Sequence, residues 1–215
     1  MGIPVLILGD SGSGKTAGLR NFEPSEIVIF NVAGKPLPFQ KKLRMFRQPG
    51  YDAIINELLN PRTPCYVIDD SQYLMVFDSF NRAFETGYGK YTEFAVNFYN
   101  LIQTVISRTP PDCIVYFLHH TEDADNGKTK AKTIGKMIDS QLTLEGLFSI
   151  VLLCKVVDGN HKFITATNGL TPAKAPMEMF PKEIDNDLKY VDFRIREYYG
   201  FNKNEMNEVK ENESN

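Results

Sequence analysis

Cysteine is scarce: the chain has three, Cys65, Cys113 and Cys154, and no CxxC pair. Each borders or lies in an apolar run. They read as small core side chains in a reducing compartment, not as a disulfide framework or a structural zinc site. No apolar run nears the ~20 residues that a membrane-spanning helix needs. The opening MGIPVLILGD carries no basic segment and reads as a strand rather than a secretion signal. Leu6 stands where an N-myristoylation motif beginning at Gly2 would want Ser or Thr. These absences predict a soluble, cytoplasmic protein. Nothing repeats at a period of about 20–50 residues, which excludes solenoids and propellers. Positive charge is not in excess either: 24 Lys and Arg face 27 Asp and Glu, a net charge of −3. An even basic coat for duplex DNA is thereby excluded, while a local basic patch is not.

What is present is a globular chain of 215 residues, 42% apolar and 24% charged. That length suits one domain, able to bury roughly 70% of the surface its unfolded chain exposes. Strand-like runs occupy 3–9, 26–32, 65–70, 113–120, 148–157 and 161–167. The first five are nearly continuous apolar runs, the pattern of strands covered on both faces, hence a mostly parallel sheet between helices. Helical stripes alternate with them: 15–21; Ile54, Ile55, Leu58 and Leu59; Tyr73, Phe77, Phe80 and Phe84; Phe94, Phe98, Leu101 and Val105; Ile184, Leu188, Val191 and Ile195. These stripes read as core faces. The order predicts an α/β fold. Asp158-Gly159-Asn160 predicts a hairpin that leaves the last two strands antiparallel, at the sheet edge. Residues 1–201 read as one core domain, and 202–215, NKNEMNEVKENESN, as a disordered acidic tail.

Gly9-Asp10-Ser11-Gly12-Ser13-Gly14-Lys15-Thr16, followed by Ala17, fits G-x-x-x-x-G-K-[ST] in full. Wrapping a polyphosphate needs backbone N–H groups turned inward, and glycines permit that curvature. Lys15 would bring charge to the β and γ phosphates, and the Thr16 hydroxyl would ligate Mg²⁺. A helix beginning near Lys15 would favour the anion further. Cys65-Tyr66-Val67-Ile68-Asp69-Asp70 is an apolar strand ending in two acids. A P-loop enzyme needs a carboxylate at a neighbouring strand tip to organise Mg²⁺, and Asp69 follows the apolar run directly. Asp70 faces the other way, because strand side chains alternate. It is either a water-orienting base or a cap for the helix starting at Ser71 or Gln72.

GDSGSGKT, IFNVAGKPLPF, YVIDDSQYL, HHTE, KTIGKMIDSQLTLEGLFSIVL and a late AKAPMEMF together resemble the small phage-encoded RecA-like P-loop ATPases, the Sak-type single-strand annealing proteins among them. The resemblance spans about residues 3–200. It implies a RecA-like core that binds ATP and Mg²⁺ and holds single-stranded DNA for recombination or annealing. A single-strand-binding protein and further copies of the chain are the implied partners. Lys15 and Thr16 match the phosphate loop, and Asp69 the Mg²⁺-organising acid. His119 or His120 match the strand-tip position of a γ-phosphate sensor, with His119 as the chosen candidate. RecA-like ATPases commonly carry a catalytic glutamate near the tip of the strand after the first helix. Here that region reads Phe30-Asn31-Val32-Ala33-Gly34, with no acid. Either Asp70 substitutes, or hydrolysis is slow, or ATP acts as a binding switch.

Two acid-free basic stretches stand out. One holds Lys35, Lys41, Lys42, Arg44 and Arg47 with Phe39, Phe46 and Tyr51 interleaved; the other holds Lys128, Lys130, Lys132 and Lys136. Cations beside aromatics suit a groove for unpaired nucleic acid, although solvated surfaces look the same. The second stretch reads as a mobile loop. Lys174, between Pro172 and Pro176, is the only cation from 163 to 181. It is either a finger completing a neighbouring subunit's site or a solvated linker lysine. Two competing readings share the phosphate loop. A nucleotide kinase would want an arginine-bearing lid, and arginines here are few and scattered; the other is a non-hydrolysing ATP-binding scaffold.

Overall fold

A computed structural model describes residues 1–87, 89–124, 126–134 and 143–201. Its main sheet contains β1 (Ile3–Leu8), β2 (Val28–Asn31), β3 (Arg44–Arg47), β4 (Cys65–Asp69), β5 (Ile114–His119), β8 (Ile150–Val157), β9 (Asn160–Ile164) and β10 (Glu183–Asp185), in the order β10-β9-β8-β1-β5-β4-β2-β3. The six strands from β8 to β3 are parallel, and β9 and β10 extend the sheet antiparallel at one edge. β6 (Thr121–Asp123) and β7 (Thr129–Ala131) form a separate antiparallel hairpin. Among the described residues the α-helices are α1 (Tyr51–Leu59), α2 (Tyr73–Asn81), α3 (Gly89–Arg108) and α4 (Leu188–Tyr199).

The continuous apolar runs are explained by two cores, one on each face. Leu6 and Leu8 of β1, Tyr66 and Ile68 of β4, and Val115 and Phe117 of β5 pack with Phe98 and Leu101 of α3 and Ile54 of α1. Val5 and Ile7, Val67, and Tyr116 and Leu118 face the other way, against Leu19, Phe22 and α4's Leu188, Val191 and Ile195. Alternation along each strand sends successive side chains to opposite cores. Fully burying each such side chain contributes about 1.5–3 kcal/mol, so no face of the central strands can be polar. The β8–β9 turn has Asp158 at φ 49° and Gly159 at φ 77°. That is the left-handed pair of a tight hairpin turn, as Asp-Gly predicts.

Four expectations change. The helix at 15–21 is only a 3-10 turn, Thr16–Leu19: Gly18 and the approaching Pro24 leave little helix propensity. Phe80 and Phe84 are 71% and 100% exposed, so neither belongs to the core; α2 ends at Asn81, and Phe84 lies beyond it. Ile184 belongs to β10, where it pairs with Phe163. α4 starts only at Leu188, where the Asp187 carboxylate accepts from the N–H groups of Lys189 and Tyr190. Finally, the stretch 123–137, read as a loop, carries part of the β6–β7 hairpin among its described residues, Asp123 pairing with Thr129. Lys136 and the tail 202–215 lie outside the described residues. Among the described residues no helix is long and apolar enough to cross a membrane.

Candidate functional site

The site lies at the C-terminal ends of β1, β4 and β5. β5 stands between β1 and β4, with His119 level with Leu8 and Phe117 with Ile68. The phosphate loop leaves β1 at Gly9, whose N–H donates to the His119 carbonyl at 3.2 Å. Gly12 and Gly14 have φ of 80° and 101°, a left-handed backbone that other residues adopt only under strain. At Gly14 a Cβ would also meet the His161 ring at 2.7 Å. That ring, on β9, donates from Nδ1 to the Ser13 carbonyl at 2.6 Å. Asn186 Nδ2 donates to the Gly14 carbonyl at 3.0 Å. The loop is thus clamped from the antiparallel edge of the sheet. No local sequence signal marks His161 or Asn186, because both arrive from distant strands and turns.

Lys15 is 6% exposed. Its Nζ donates to the Gly9 and Asp10 carbonyls at 2.6 and 2.9 Å. Burial lowers its pKa, against the attraction of the Cys154 thiol and the carboxylates of Asp70, Asp69 and Asp10. Thr16 Oγ1 donates to Asp69 Oδ1 at 2.8 Å, across 53 residues of sequence. Burial, and then the neighbouring Asp70 charge, push the Asp69 carboxyl up to about 6. Mg²⁺ typically takes one or two protein oxygens plus substrate phosphates in place of a complete protein cage. The hydroxyl of Thr16 and the carboxylate of Asp69, side by side at the loop, fit that requirement. The described residues hold no group of three or more His, Cys, Asp or Glu arranged for a metal.

Asp70 has φ 59°, a left-handed conformation that Asp tolerates better than most residues. Its side chain does not cap α2: the N-cap is Gln72, without a side-chain bond, and only the Asp70 carbonyl accepts from Tyr73 N–H. Instead Asp70 accepts from Lys35 Nζ at 2.7 Å and from His120 Nε2 at 3.2 Å. Burial raises its pKa, but the His120 and Lys35 hydrogen bonds outweigh this and hold the carboxyl down at about 2. A carboxylate with so little proton affinity is a poor general base near neutral pH. It is arranged to anchor a lysine and an imidazole beside the glycine-rich loop.

A cavity of 360 Å³ joins these parts. Ser11, Gly12, Gly14, Lys15, Thr16 and Ala17 line one side; Asp69, Asp70, Lys35, His120 and His161 line the other. His119, the candidate γ-phosphate sensor, is not among them. It is fully buried on the opposite side of β5, with Nε2 donating to the Lys132 carbonyl at 2.7 Å and Nδ1 2.8 Å from Ser71 Oγ. Burial lowers its pKa to about 4, so it is a neutral core histidine. Alternation gives the cavity to His120. Lys35 belongs to the site as well, carried there by the turn at Gly34 (φ 70°). It was legible only as one cation of a basic stretch.

The remaining cations are dispersed. Lys41 pairs with Glu23 at 2.9 Å, and Lys130 with Glu122 at 2.9 Å. Lys42, Arg44, Lys128 and Lys132 are exposed. Arg44 is on β3, the edge strand, where charge also discourages edge-to-edge pairing. Lys174 pairs through its backbone with Val151 of β8, both hydrogen bonds 2.8 Å, and its side chain is exposed. It does not line the cavity of its own chain. No protein-family model matches the chain, and no curated protein matches it.

Proposed function

We propose that this chain is a RecA-like P-loop protein that binds ATP with Mg²⁺ and uses the bound state to hold single-stranded DNA. The observation that carries the nucleotide reading is the 2.8 Å Thr16–Asp69 hydrogen bond at the mouth of the phosphate loop. Mg²⁺ supplies charge neutralisation between the phosphates when it is bound there. Lys15 exchanges its loop carbonyls for phosphate oxygens, and the loop N–H groups surround the remainder. His120 and Lys35, tethered by Asp70, stand where a γ-phosphate would end, so they can distinguish a triphosphate from a diphosphate. The intervening position of β5 supports the RecA-like reading, since it puts the tip of the fourth long parallel strand between loop and acid.

The same geometry favours slow turnover. The strand tip after the first loop offers Asn31 and then Lys35 instead of an acid, and Asp70 is held too low to take a proton. A non-hydrolysing ATP-binding scaffold is therefore the second reading. Phosphate release measured with and without single-stranded DNA separates the two. Stimulation by DNA supports a DNA-linked ATPase; ATP binding with no release under either condition supports the scaffold; no ATP binding at all sinks both.

The single-strand contact is assigned to the exposed cations of the hairpin, Lys128 and Lys132. Replacing both by Ala lowers the log–log salt slope of binding to an oligodeoxynucleotide by about 1.4, roughly 0.7 per lost phosphate contact. A double variant with the wild-type slope would return the hairpin to a solvated surface. As an oligomer, the protein would present Lys174 to a neighbour. Mixing Lys174→Ala and Lys15→Ala proteins, each impaired alone, would then restore part of the activity.

A further inference from the structure

A second cavity, of 690 Å³, lies between α1, α2 and α3, outside the nucleotide cavity. Its polar lining is dominated by amides. Asn97 and Asn100 come from α3, Asn81 and Asp78 from α2, and Tyr51 from the start of α1; Phe77 supplies an aromatic wall. Among the described residues no Lys or Arg lines it, so a bare phosphate finds no cation there. The Tyr51 hydroxyl is buried without a hydrogen-bond partner, a costly state for a polar group that a ligand would relieve. Burial, and then the Asp78 charge, raise the Tyr51 pKa, so the phenol stays a donor.

An asparagine side chain presents one donor and one acceptor side by side, the arrangement that pairs with a base edge. A carboxylate accepts from an exocyclic amine. An aromatic ring offers a stacking face to any base. The volume is within the range of small-molecule sites. We propose that this cavity takes one unpaired nucleobase, with its edge at Tyr51, Asn97 and Asn100 and its face against Phe77. The inference rests on the single-strand reading only for the source of that base.

The two cavities share α2. Phe77 stacks on Tyr73 at 5.4 Å. Lys35 lies over the Tyr73 ring at 5.2 Å, and His120 meets it edge-on at 6.2 Å. Both of these groups hold Asp70. A contiguous packed path therefore joins the base cavity to the groups at the γ-phosphate position, and base and triphosphate would alter each other's affinity by the same factor.

Photo-cross-linking of the full chain tests this, with 4-thiothymidine as the free deoxynucleoside and within an oligodeoxythymidylate. The expected label falls on the peptides carrying Tyr51 or Phe77. Its yield drops about tenfold in the Asn97→Leu, Asn100→Leu double variant, as expected when a paired edge is lost. Asn100→Leu alone, at an exposed position, carries the comparison if the double variant fails to fold. Labelling by both probes means that the cavity admits free nucleosides, and labelling by the oligomer alone means that it takes a base within a strand; either supports the proposal. Label confined to other peptides, no label, or an undiminished yield in the variants overturns it. Binding of a fluorescent ATP analogue in the same samples keeps the two readings apart, because Tyr51 labelling without ATP binding would refute the nucleotide site and leave the base cavity standing.

Discussion

Lys15→Ala lowers the affinity for a fluorescent ATP analogue by about 10–150-fold, the equivalent of the ~1.5–3 kcal/mol that a hydrogen bond to a charged group contributes. The lysine is buried, and its hydrogen-bond partners among the described residues are the Gly9 and Asp10 carbonyls. Those carbonyls are replaceable partners. The cation also carries a desolvation cost that its lowered pKa records. Removing it takes away both the bonds and the cost, so the melting temperature should move little while binding collapses. Titration of the analogue, with thermal melting in parallel, checks this. Undiminished affinity in a folded Lys15→Ala protein would refute the phosphate-loop assignment.

Asp69→Asn abolishes the Mg²⁺-dependent part of nucleotide binding and, with it, a pH dependence. In the free protein the Asp69 carboxyl titrates at about 6, raised by burial and by Asp70. The metal needs the ionised form, so Mg²⁺-dependent affinity weakens as pH falls below about 6, by up to about tenfold per unit. Fold stability runs the other way. An acid whose folded pKa is raised stabilises the fold fully below its unfolded value, and that contribution is lost as pH rises through the folded value. The neutral Asn, which can still accept from Thr16, should therefore leave the protein at least as stable as wild type at pH 7. Calorimetric titration from pH 5 to 7.5, with and without Mg²⁺, reads the first effect, and thermal melting reads the second. A wild-type pH profile in Asp69→Asn would remove Asp69 from the metal site.

The α/β class and the central strands could be read from the chain because burial on both faces forces an unbroken apolar run. IPVLIL, CYVI and IVYFL admit little else. The short edge strands β3 and β10 could not be read: four and three residues long, they acquire strand geometry only from their neighbours' hydrogen bonds. The phosphate loop was legible because glycine, lysine and threonine at fixed spacing carry their own local geometry. Asp69 was legible as an acid ending an apolar run.

The choice between His119 and His120 was not a local matter. Alternation required that they part, but which one reached the nucleotide cavity depended on which core β5 gave to each face. Packing settled it, with Phe98 and Ser71 enclosing His119. Lys35 and Asp70 illustrate the same division. The sequence by itself determined the α/β class and its local patterns, a G-x-x-x-x-G-K-T run, two adjacent acids ending an apolar strand and a cation-rich stretch, since each rests on short-range spacing and hydrophobic period. Only the tertiary structure brought Lys35 and His120 to the Asp70 carboxylate. A carboxylate's proton affinity is set by the charges and hydrogen bonds brought against it from 35 and 50 residues away, and no local pattern encodes those distances.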